Sequence, residues 1–241
     1  MEASISDSND PPSCGDAYRA AVHGNLQILM KFNARELTSP INIWGGTIFH
    51  VLALNCHTKA VIELLNSLSS SSSSMSMING LNTKNFNGNI PLHEGARVGA
   101  LEIAKLMVRK EESLLHERNS MGETPLYWAA ASGQKAMLRF LAMKNSSFNP
   151  PAGLRRNDGS SILHAAVMGE FYGLALEIMD RYPDLAIVGD KDGITVPHLL
   201  VRSPSSFKSG TFYSDINLLY SFFIPLALLE LVIYFCMYEH L

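Results

Sequence analysis

A single phrase, met six times at a near-constant interval, constrains this chain more than any other feature. Its fullest copy is NSMGETPLYWAAASGQ, residues 119–134. With Leu126-Tyr127 as anchor, GNIPLHEGARVGA puts His93 in the same slot, GSSILHAAVMGE puts His164 there and GITVPHLLV puts His198 there. Upstream, GGTIFHVLALN supplies His50 and, more loosely, DAYRAAVHGN supplies Tyr18. The slots Tyr18, His50, His93, Tyr127, His164 and His198 lie 32, 43, 34, 37 and 34 residues apart. Self-similarity at such a period marks a repeat architecture, in which no unit can bury its apolar face alone and stacked neighbours bury it together.

Each position of the phrase has a physical reading. Thr124 can N-cap a helix by accepting from the orphan amides of its first turn. Pro125 suits the first helical position, where its missing N–H costs nothing. Leu126 is a core position, and Ala129 and Ala130 are small enough to let a second helix approach. Gly133 suits the left-handed position that ends the helix. Asn119 to Gly122 and Asn157 to Gly159 carry turn residues for hairpins joining successive repeats. Each first helix is followed by an amphipathic second one: NLQILMKF, KAVIELLNSL, LEIAKLMV, KAMLRFLAM and GLALEIM. In LEIAKLMV the pattern turns Leu101, Ala104 and Leu106 to Val108 toward neighbours, and Glu102 and Lys105 toward water.

The period and the T-P-L-H-x-A core resemble the ankyrin repeat, from about Gly15 to Val201. The resemblance implies an all-α solenoid of about six helix-turn-helix repeats with hairpin loops. The expected organisation is a disordered tail (1–14), a repeat domain (15–201), a linker (202–215) and a C-terminal apolar helix (216–238). The 43-residue interval holds SLSSSSSSMSM, residues 67–77, a polar low-complexity loop, and the 37-residue interval holds Asn149 to Gly153.

Composition narrows the function. The net charge of −3 gives no clustered basic surface, so no nucleic-acid partner is expected. Cys14, Cys56 and Cys236 form no CxxC pair and no even framework, which argues against disulfides and zinc. Four of the eight histidines occupy the repeat slot, where the ring ties turn to helix through backbone hydrogen bonds. Tyr127 replaces His in one copy, which a tie tolerates and a metal ligand does not. No HExxH, GxSxG, GxxxxGK[ST] or GxGxxG occurs. The expectation is a non-enzyme without cofactor, metal or small-molecule substrate.

Beyond His198 the pattern stops. Leu218 to Tyr238 is an apolar run of 21 residues whose one charge is Glu230, and a bilayer-spanning helix needs about 20. Twelve Leu, Ile, Val and Phe residues supply roughly −4 to −7 kcal/mol toward insertion, against about +3 for one central charge. Arg202 and Lys208 precede the run and nothing basic comes after it, which keeps the repeats cytosolic. Glu230 then pairs with another helix or snorkels. A soluble capping helix is the competing reading.

This arrangement resembles the plant ankyrin-repeat membrane proteins, in which cytosolic repeats precede a several-helix membrane block marked by Pro-Gly-Gly. HLLVRSPSSFKSG (198–210) is similar to the segment after the last repeats there. This sequence contains no Pro-Gly-Gly and at most one span after Ser214, so a multi-span topology is not carried over and a truncated or spliced form is expected. The resemblance implies an adaptor for other proteins in stress or defence signalling, tethered to a plasma or internal membrane. A competing soluble fragment and a subunit of a multi-helix assembly are the alternatives. Repeat proteins bind through variable exposed positions of a concave face, which here are Trp44, Glu94, Arg97, Glu123, Trp128 and Arg156. Trp128 either faces that groove or packs against the adjacent first helix.

Overall fold

The computed structural model describes residues 13–70, 80–145 and 152–202. Most of the expected tail (1–14) and of the Ser-rich loop (67–77) lies outside the described residues. So do the linker beyond Arg202 and the apolar run 216–238 with Glu230. Among the described residues no helix is long and apolar enough to cross a membrane.

The described residues are helical, with short 3-10 turns, one isolated bridge between Arg155 and Ser161, and no strand. They divide into two compact units: Met1–Gly95 with Glu102–Leu114, and Ala96–Leu101 with Leu115–Leu241. The first unit contains α1 (Cys14–His23), α2 (Leu26–Leu29), α3 (Ala34–Leu37), α4 (Ile48–Leu54) and α5 (Thr58–Ser70). It also holds the start of α6 (Pro91–Val98) and most of α7 (Leu101–Lys110). The second contains α8 (Pro125–Ala131), α9 (Lys135–Asn145), α10 (Ile162–Met168), α11 (Tyr172–Arg181) and α12 (Val196–Arg202).

In each unit a first helix packs on its own second helix and on the first helix of a neighbouring repeat: α4 on α5 and α1, α10 on α11, α8 and α12. Ile48, Phe49 and Leu52 of α4 and Ile162, Leu163 and Ala166 of α10 are fully buried. The larger of these side chains each contribute about 2 kcal/mol when buried. The second helices bury one stripe; in α7 it is Ile103, Ala104, Met107 and Val108. The burial of Ile103 moves that stripe by part of a turn from the expected one, and Leu101 and Leu106 are only half-buried.

The repeat is written most sharply in the backbone. Every positive φ among the described residues falls into one of two phased series. Gly24, Cys56, Gly99, Gly133 and Glu170 end the first helices, and Gly45, Gly88, Gly122, Gly159 and Gly193 close the hairpins. Gly133 shows why glycine is usual in the first series. Its φ is 70°, and an added Cβ would lie 2.6 Å from the ring of Phe171.

The slot residues sit at the third position of their helices. Thr47, Thr124 and Ser161 are N-caps, and His50, Tyr127 and His164 stand three residues on. In α1 the capping box is Ser13 with Asp16, and the helix begins two residues earlier relative to its terminator Gly24. Asp16 therefore takes the capping place in the first copy, and Tyr18, aligned there by sequence, lies one turn into the helix and is exposed.

Candidate functional site

The hairpins are four-residue turns in which the glycine N–H donates to the carbonyl three residues back, at 2.8–3.1 Å from Asn42, Asn85, Asn119, Arg156 and Asp190 in turn. In four of the five, the first residue is Asn or Asp. Its Oδ1 accepts the N–H two and four residues on, as in Asn42 from Trp44 and Gly46 and in Asn119 from Met121 and Glu123. Such a side chain mimics a backbone turn and holds the tip in one conformation. Successive tips are joined by single backbone bonds: Phe86 N–H to the Trp44 carbonyl (3.0 Å), Asn157 to Met121 (2.9 Å) and Lys191 to Asp158 (2.8 Å).

The slot histidines couple each helix start to the next hairpin. The backbone N–H of Thr47 donates to His50 Nδ1 (3.1 Å) and that of Ser161 to His164 Nδ1 (3.3 Å). A backbone N–H can only donate, so Nδ1 is the acceptor and the ring proton sits on Nε2. Nε2 then donates to the carbonyl of Asn89 from His50 (2.8 Å) and of Ile194 from His164 (2.9 Å). Burial holds both imidazoles below their ordinary pKa, partly offset by the carbonyl bonds. Ile90 and Thr195 donate in the same way to His93 and His198. Tyr127 reaches Ser160 Oγ with its hydroxyl (3.4 Å), and burial raises its pKa. His50, His93 and His164 are buried and His198 is exposed. Among the described residues no group of His, Cys, Asp and Glu could hold a metal ion.

In the second unit, four of the expected surface residues form one connected network. Trp128 Nε1 donates to Glu123 Oε2 (2.9 Å), and Asn119 Nδ2 donates to the same oxygen (2.8 Å). Arg156 Nη1 reaches Glu123 Oε1 (3.4 Å). Arg97 lies over the Trp128 ring, its guanidinium carbon 5.6 Å from the centroid. Arg156 forks onto Asp158 through Nε and Nη2 and stands 6.0 Å from the centre of the Tyr127 ring. The Arg156 fork holds the Asp158 carboxyl below its usual range. The same contact raises the pKa of the Arg156 guanidinium. Glu123 is thus engaged in orientation: it fixes the indole plane from one edge while Arg97 covers a face. Trp128 is half-buried and Arg97 exposed. A cation over an indole at an exposed site is worth about 0.5–1 kcal/mol.

The remaining candidates lie in the first unit. Trp44 is exposed on the hairpin tip. Glu94, expected at an exposed groove position, is only 9% exposed and accepts from Asn89 Nδ2 (3.2 Å). It repeats the Glu123–Trp128 pairing five residues apart, with acceptor and donor exchanged. Two residues that the repeat pattern marks as turn residues also belong to the network. Asn119 and Asp158 orient the network, and exposed Met168 occupies in α10 the register that Arg97 has in α6. The Asx three residues ahead of the hairpin glycine carried the signal for Asn119.

Comparison with known proteins agrees with this geometry. The sequence model of the ankyrin-repeat family, described as ankyrin repeats in three copies, matches residues 72–152. Ankyrin repeats are in general non-enzymatic modules that bind other proteins. Protein ACCELERATED CELL DEATH 6 of Arabidopsis thaliana is 26% identical to this chain over 136 residues, which is 52% of this chain and 20% of the relative. The chain spans about a fifth of the length of that relative.

Proposed function

We propose that this chain is a protein-interaction adaptor in plant stress or defence signalling, tethered to a membrane through residues 216–238 with its repeats on the cytosolic side. Its partner is bound over Arg97 and Trp128, backed by Glu123 and Arg156. The observation that carries this reading is the network itself. Residues at positions that vary between repeats converge on one half-buried tryptophan whose plane is fixed from two sides. A pre-oriented aromatic beside an arginine is the usual composition of an interface anchor. The name of the Arabidopsis relative supports a role near cell death, and the apolar run supports the tether.

The test is affinity capture of partners by the full chain and by Trp128→Ala. Loss of a central anchor weakens binding by roughly 2 kcal/mol, about thirtyfold. Equal recovery of every partner by both forms sinks the groove assignment. Carbonate extraction of membranes carrying the expressed chain tests the tether, which fails if the chain is released.

A further inference from the structure

Ile43 and Phe86 are the two most exposed large apolar side chains described, at 81% and 74%, and Trp44 at 64% ranks just below Met168 of the second unit. All three stand on two adjoining hairpin tips of the first unit and form one patch. Phe86 N–H donates to the Trp44 carbonyl (3.0 Å), and the Phe86 ring lies over Gly45, where a Cβ would come within 2.6 Å of it. An exposed cluster of this kind marks an interaction surface.

Two further properties select the occupant. The tips have already satisfied most of their own amides. Trp44, Gly46, Asn87 and Asn89 donate to Asn42 or Asn85 Oδ1, and Gly45 and Gly88 donate to the carbonyls of the same asparagines. A polypeptide seeking backbone pairing finds most of those amides already engaged, whereas a medium without hydrogen-bonding partners penalises only unsatisfied groups. The charge is also selective. Residues 39–47 and 83–90 contain no carboxylate and one cation, Lys84. Aromatic side chains beside a single cation suit the interfacial layer of an anionic bilayer.

We propose that Ile43, Trp44 and Phe86 enter the interfacial layer of an anionic lipid bilayer, so that the first unit lies against the membrane. This deepens the tether reading and is tested separately from it. The chain has two tryptophans, so Trp128→Phe leaves Trp44 as the single reporter. The full chain carrying that change is mixed with phosphatidylcholine–phosphatidylserine vesicles containing acyl-chain-brominated lipid. Trp44 emission moves to shorter wavelength and is quenched most by bromine placed near the head groups. Ile43→Ser with Phe86→Ser abolishes the quenching and leaves carbonate retention unchanged. Retention without quenching overturns the proposal while the tether stands; quenching without retention upholds it while the tether falls. Shielding of Trp44 from iodide by added protein, with none by vesicles, assigns the patch to a protein partner and also overturns it.

Discussion

The turn Asn85–Gly88 in the first unit and the turn Arg156–Gly159 in the second share a backbone and differ in nearly everything they present. Both close with a glycine at positive φ whose N–H returns to the carbonyl three residues back. In the first, Asn85 Oδ1 holds the tip and the outward residue is Phe86. In the second, Arg156 stands where the Asx belongs. Asp158 takes over part of the task by accepting the Ser160 N–H, and the arginine is able to reach Glu123. A repeat therefore has two layers of information. Glycine and the Asx acceptor fix the path of the chain, and residues between them vary because they carry no backbone duty. The first unit uses that freedom for an apolar tip and the second for a charged network.

The shared backbone is the first thing to break. Gly122 has φ 77°, and an added Cβ would fall within contact distance of both the Asn157 side chain and its backbone nitrogen. Gly122→Val combines left-handed strain with overpacking and is expected to cost about 3 kcal/mol or more in urea unfolding. Gly193 has a similar φ of 72° with nothing within 4 Å. Gly193→Ala bears the strain alone, about 1 kcal/mol. Equal losses at the two sites would mean that stacking of one tip on the next contributes nothing.

Next in size are the histidine ties. His50→Ala leaves the Thr47 amide and the Asn89 carbonyl without these partners inside the first unit, an expected loss of about 2–3 kcal/mol. The ties also set a pH dependence. Burial depresses the pKa of His50 and His164 below the ordinary 6.5, so the unfolded chain binds protons first. Their contribution is complete above about pH 6.5 and declines as pH falls from there toward the depressed native values. Urea midpoints at pH 7.5 and 5.5 measure the decline, and His50→Gln removes part of it. A midpoint independent of pH contradicts the lowered imidazole pKa values.

How much of this the sequence shows depends on whether the cause is local. The helix starts at Thr47, Thr124 and Ser161, the terminator Gly133 and the hairpin at Asn119 are each set by near neighbours in the chain, and they stand out in the repeated phrase. Tyr18 misleads because the S-x-x-D signal at Ser13 lengthens α1 by two residues at its start while its end keeps the period. Glu94 misleads because a variable position is exposed only if its neighbour leaves it so, and Asn89 captures it. That Arg97 covers Trp128, 31 residues away, is a fact of stacking that no periodicity contains.

The charged network gives a smaller contrast. Arg156→Ala removes the Glu123 contact and the fork onto Asp158, both partly exposed, and should cost about 1 kcal/mol of stability. Partner capture should suffer more than stability, because the indole loses one of its orienting links. Asn85→Ala, the matching change in the first unit, acts on the turn alone: about 1–2 kcal/mol in unfolding and no change in capture through Trp128. Capture that falls equally in the two variants would place the binding surface elsewhere.

The smallest expected effect tests whether the backbone layer can be separated from the side chains it carries. In the helix-ending series two residues are not glycine, Cys56 in the first unit and Glu170 in the second, each at φ 59°. Cys56 is the cleaner site, because its side chain is an exposed free thiol. An L side chain there bears a left-handed penalty of about 1 kcal/mol, and glycine removes it. Glycine also gives the unfolded chain more freedom, which returns about 0.4–1 kcal/mol. The net for Cys56→Gly is therefore a gain of about 0.5 kcal/mol or less in urea unfolding. Gly133→Ala in the second unit, by contrast, acquires the left-handed penalty and meets Phe171 in the space a methyl would need. If Cys56→Gly destabilised the chain by more than about 1 kcal/mol, the thiol would be contributing more than the strain it causes. The two layers of the repeat would then not be separable at that position.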